Sequence, residues 1–169
     1  MQNESLKNSE AVLTLTREFD APRELVFNAF AEAEALAEWW GPVGFKMTVT
    51  QLDFKPGGRC HFKMENGTDV MWAILVFGKI IRPELIEITV SFSNEEASIT
   101  RAPFFESWPL EILNVFTLTE KAGKTTITTK SYPVNASEAE VVSFQQNKSS
   151  FKAGLTASLD KLAQHLSGQ

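Results

Sequence analysis

The chain has 169 residues, of which 43% are hydrophobic, enough for one sizeable core and a length that fits a single domain. Its formal net charge is −5 with no basic run, which argues against a nucleic-acid partner, because neutralising phosphates takes clustered Lys and Arg. The single cysteine, Cys60, excludes an intramolecular disulfide and suits a reducing compartment.

The first ten residues, MQNESLKNSE, are polar and carry no apolar signal region, so a disordered tail and a cytoplasmic location are expected. No apolar run reaches the roughly 18 residues of a membrane span. Residues 12–19 (VLTLTREF) alternate and read as a strand, with Leu13, Leu15, Arg17 and Phe19 on one face. Asp20-Ala21-Pro22 breaks it and opens a helix, with Asp20 as the cap and Pro22 in the first turn. Leu25, Val26, Ala29 and Phe30 form that helix's apolar face, and a second short helix over 33–40 ends at Gly41-Pro42.

Strands follow at 45–54, 59–65, 70–81 and 85–92, separated by Pro56-Gly57-Gly58, Asn66-Gly67 and Pro83-Glu84. Residues 93–109 read as a loop of unusual length, a mark of functional segments, and it carries Phe104, Phe105 and Trp108. Two more strands, 111–119 and 124–132, meet at Ala122-Gly123. Residues 137–166 then read as one long helix, capped by Asn135 or Ser137, with Glu138 and Glu140 in its first turn. Its apolar stripe runs through Val141, Phe144, Phe151, Leu155, Leu159, Leu162 and Leu166, and Gly154 marks a candidate bend. The order β-αα-β6-α predicts an α+β helix-grip fold: a curved antiparallel sheet wrapped around a long C-terminal helix, enclosing a mostly apolar space. Strand 70–81 is apolar on both faces where one should alternate. Either its outer face forms a homodimer contact, or the 93–109 loop covers it.

No phosphate-binding glycine loop, zinc-protease motif or nucleophile elbow is present. His61 and His165 lack ligand spacing, and His61 is expected to face solvent. Cys60 reads as a small buried hydrophobe. Arg17 on an apolar face demands a partner, either a carboxylate such as Asp53 or the acid group of a ligand. The candidate lining of the enclosed space is Arg17, Trp40, Phe62, Trp72, Trp108, Phe151 and Leu155. No metal or cofactor is expected.

Arg17 to Phe27 (REFDAPRELVF), Trp39-Trp40-Gly41-Pro42, Asp53-Phe54-Lys55-Pro56-Gly57-Gly58, Pro133-Val134-Asn135-Ala136-Ser137-Glu138 and Leu159-Asp160-Lys161-Leu162 together resemble the START-like, birch-pollen-allergen-like superfamily. Within it, the chain is similar to homologues of the activator of heat-shock-protein-90 ATPase, over about residues 11–166. The resemblance implies the helix-grip fold and a small hydrophobic or lipid-like ligand held without a cofactor. It leaves two other readings open. One is a cyclase- or dehydratase-like enzyme using inward polar groups, such as Arg17 with Asp53 or Gln51. The other is a co-chaperone-like module acting through its surface. One departure stands out: the family usually has Gly-Trp late in the last helix, and here the pair is Gly154-Leu155. The smaller side chain should leave room between helix and sheet.

Overall fold

The structure, a computed structural model, describes residues 12–168; the expected tail over 1–10 lies outside them. Seven strands form one antiparallel sheet: β1 (Leu13–Phe19), β2 (Lys46–Leu52), β3 (Arg59–Asn66), β4 (Asp69–Ile81), β5 (Leu85–Ser93), β6 (Ile112–Lys121) and β7 (Lys124–Pro133). Their spatial order is β1-β7-β6-β5-β4-β3-β2, so consecutive hairpins run across the sheet and β7 returns to β1. Helices α1 (Arg23–Ala31) and α2 (Ala33–Trp39) link β1 to β2, and α3 (Glu138–Gln146) and α4 (Lys148–Ser167) follow β7. This is the expected helix-grip arrangement.

Two local expectations are corrected. Asp20 does not cap α1: the N-cap is Pro22, without a side-chain bond. The last 30 residues are not one helix. The chain breaks at Asn147, whose φ of −109° and ψ of 15° leave the helical region. The Asn147 side-chain amide donates to the Ser143 carbonyl at 2.8 Å. Asn competes for helix carbonyls in this way and so favours ends over interiors. Gly154, expected to bend the helix, lies inside regular α4. The Ser137 cap is present as a reciprocal box with Glu140, each side chain accepting from the other's backbone N–H.

The inner face of the sheet follows from the register. Phe62 pairs with Ala73 and Cys60 with Leu75; Phe77 pairs with Ile88; Ile86 pairs with Phe116; Leu118 pairs with Ile127. All ten are buried in one apolar cluster with Phe27, Phe30, Trp39, Leu159 and Leu162. Burying one such side chain contributes about 1.5–3 kcal/mol. A second cluster joins Leu13, Ala102, Trp108, Ile112 and Phe144, and Leu155 packs against both. At the turn before β3, a Cβ on Gly58 would sit 2.0 Å from the Asp53 carbonyl oxygen, so only glycine fits that approach.

Candidate functional site

Along β5 the buried positions are Ile86 and Ile88, and then Ser91 and Ser93. Dryness therefore changes faces midway along the central strand of the sheet. Val90 and Phe92 share the inner face with Ile88, yet both stay partly open, as does Met71, two residues before buried Ala73 on β4. Phe151 and Leu155 from the first half of α4 are also partly open, and both pack, like Phe92, on the cluster around Trp108 and Phe144. The backbone of α4 lies closest to α2 and β1, to one side of β4 and β5. Met71, Val90 and Phe92 thus form a partly open strip, or trough, on the inner face beside the helix.

Trp40 follows α2 at one flank. It is partly buried, its ring 6.1 Å from Phe116. The carbonyl of neighbouring Gly41 accepts from Ser158 Oγ at 3.1 Å and Lys161 Nζ at 2.8 Å, one to two turns beyond Leu155. Burial pulls the Lys161 ammonium below its ordinary pKa. The 94–111 loop flanks the other side. Trp108 is buried, with ring centroids 5.7 Å from Phe144 and 6.2 Å from Phe151.

The seven predicted lining residues thus divide. Phe151 and Leu155 are partly open on α4, Trp40 is partly buried against Phe116, and buried Trp108 packs on Phe151. Phe62 is fully buried in the core. Trp72 is misplaced by the sequence reading: it pairs with Lys63, not Phe62, and therefore points to the outer face. There it stacks on His61 at 4.9 Å and 25°. His61 is in turn not solvent-facing but only 6% exposed. Its Nε2 lies 3.1 Å from the Asn94 carbonyl oxygen and its Nδ1 3.3 Å from Thr50 Oγ1. Arg17 is on the inner face but pairs with Asp160 of α4; Asp53 instead lies 3.4 Å from Lys55.

Several residues escaped the sequence reading. Asn114, Thr129 and Ser131 place polar groups on the inner face; Ser131 Oγ donates to Asn114 Oδ1 at 2.5 Å, and Thr129 Oγ1 is buried with no hydrogen-bond partner among the described residues. The alternation of Thr125, Ile127, Thr129 and Ser131 carried that signal. Glu140 caps α3 and pairs with Arg101. Burial alone would raise its carboxyl, but the Ser137 N–H, the Arg101 guanidinium and the Ser137 hydroxyl outweigh it and hold the group below the usual carboxylate range. Burial pushes the Cys60 thiol up to about 12. Among the described residues no group of three His, Cys, Asp or Glu is placed to hold a metal. No described helix is long and apolar enough to cross a membrane. Two depressions are present: one of about 540 Å³ beside Val12, Leu13, Thr14, Lys148, Ser149 and Lys152, and one of about 70 Å³ lined by Leu25, Asn28 and His165. Neither includes a predicted lining residue.

Solved structures share this fold. A protein of Arthrobacter aurescens is 18% identical, with a TM-score of 0.80 over 95% of this chain and 88% of its own. A protein of Mycobacterium smegmatis is 21% identical, with a TM-score of 0.76 over 95% and 94%. One from Staphylococcus epidermidis is 21% identical, with a TM-score of 0.76 over 94% and 90%. No curated protein matches the chain. The family profile described as "Activator of Hsp90 ATPase homolog 1-like protein" matches residues 20–167, and the chain belongs to that family.

Proposed function

We propose that the chain binds a small, uncharged, hydrophobic or lipid-like molecule in the trough between β4, β5 and α4. The observation that supports this is the change of faces along β5. Inner positions of a central strand should be the driest in the sheet, yet Met71, Val90 and Phe92 are wetter than Ser91 and Ser93 behind them. Apolar side chains held open this way gain from any apolar molecule that displaces the water, by about 25 cal/mol per Å² buried. Leu155 in place of the family's Trp keeps the trough wide. An enzymatic reading has less support: Cys60, Glu140 and Lys161, the groups with displaced pKa values, lie on three different elements and share no hydrogen bond. Native mass spectrometry of the protein purified from its own host tests the proposal. A retained adduct of defined mass, lost on Leu155→Trp, supports it; an adduct equally retained by that variant contradicts it.

A two-fold contact through β4 is a second proposal, weaker than the sequence implied. Ile74 is buried and Trp72 lies against His61, so Val70, Val76 and Ile81 are the apolar side chains left open on this strand. Sedimentation at micromolar concentration should show dimer; a monomer that persists across the concentration range rejects the contact.

A further inference from the structure

The loop between β5 and β6 does more than close the second core cluster. Ala102 and Trp108 already anchor it by burial. Between them Phe104 and Phe105 are 58% and 41% exposed. They do not hang free. Phe104 packs edge-on against Phe92 at 5.4 Å and against Phe105 at 5.6 Å. Phe105 lies stacked over buried Trp108 at 6.4 Å. Two large apolar rings are thus held outward on a fixed aromatic base, as the anchors of a protein interface are. Ile99 of the same loop, 46% exposed, adds apolar area.

Charge indicates what these rings meet. Residues 94–111 carry Glu95, Glu96, Glu106 and Glu111 against one cation, Arg101. Arg101 is occupied by Glu140, and Glu111 accepts from the Asn135 side-chain amide at 3.2 Å. Glu95, Glu96 and Glu106 are exposed, with no ion pair among the described residues. Such a loop is repelled by the negative surface of an anionic bilayer, which draws in cations instead. It complements a partner that brings positive charge beside its apolar anchors.

We infer that Phe104 and Phe105 form a docking surface for a segment of another protein that presents aliphatic side chains flanked by Lys or Arg. The carboxylates of Glu95, Glu96 and Glu106 steer that segment and fix its orientation, while the two rings supply the contact that holds it. This surface adjoins the trough, since Phe104 packs on Phe92, but it faces outward and its occupant is a protein.

A fluorescein-labelled helical peptide built of Leu and Lys, followed by anisotropy at two salt concentrations, tests the inference. The full chain should bind it, more weakly at high salt. Phe104→Ser with Phe105→Ser should weaken binding about tenfold or more. Glu95→Gln, Glu96→Gln and Glu106→Gln together should weaken it and flatten the salt dependence. If the first variant fails to fold, as judged by its melting curve, the second still decides. Equal binding by all three proteins would overturn the inference, because attraction to the net charge alone would then suffice. No binding to the peptide, or binding to phosphatidylglycerol vesicles that the double Phe variant loses, would overturn it too.

Discussion

At the scale of single residues, two ion pairs differ because their burial differs. Arg17 and Asp160 are 33% and 56% exposed at the side chain, so water screens the pair and solvates either member left alone. Asp160→Asn should cost only about 0.2–1 kcal/mol in a denaturant titration, shrinking further with added salt. A loss of several kcal/mol would mean that Arg17 is stranded in a dry site. Glu140 is different: its side chain is 9% exposed and accepts from both the helix start and Arg101. Glu140→Ala should cost about 1–2 kcal/mol at neutral pH. Because its folded pKa is held down, that contribution is present above the unfolded value of about 4.3 and disappears as pH falls through the folded one. Melting curves of both proteins from pH 7 to pH 3 should therefore converge in acid. A gap that stays constant across the series would show that the charge of Glu140 contributes nothing.

At the scale of elements, α4 offers the clearest test. A Cβ on Gly154 would meet no atom within 4 Å, and the position lies within a regular helix. Gly154→Ala should therefore raise stability by about 0.5–1 kcal/mol, since glycine loses more backbone freedom on folding. The corresponding gain in melting temperature is about 1–4 °C; a fall would place a strained bend at residue 154. Nearly every strand was legible from alternation and from turn residues such as Asn66-Gly67, because a hairpin writes both its period and its turn into the local sequence. The break at Asn147 was not, because the apolar stripe of the last helices continues across it from Phe144 to Phe151. What stops the helix is one side-chain bond to a carbonyl, which leaves no periodic trace. Trp72 was misassigned for a related reason. On a strand apolar at seven successive positions, from Met71 to Phe77, alternation cannot say which face is which. Only the pairing of Lys63 with Trp72 decides it.

At the scale of the whole molecule, the helix-grip arrangement brings together residues far apart in the chain, and the site is less legible than the fold for that reason. Leu155 could be singled out only as a departure from the Gly-Trp pair that the resemblance leads one to expect. Met71, Val90 and Phe92 could not, because their openness depends on where α4 lies, to one side of β4 and β5. Asp160 as the partner of Arg17 joins positions 143 residues apart, and no local pattern reports such a contact. The central claim is that the trough receives an apolar ligand. It is tested most directly by titrating the uncharged fluorescent probe N-phenyl-1-naphthylamine into wild type and Leu155→Trp, with a thermal melt of each. Wild type should bind saturably. The variant should bind about tenfold more weakly or worse and melt within a few degrees of wild type, because the added ring fills open space. Absence of binding by either protein, with a variant destabilised by the roughly 1–3 kcal/mol typical of an overpacked core, would contradict it.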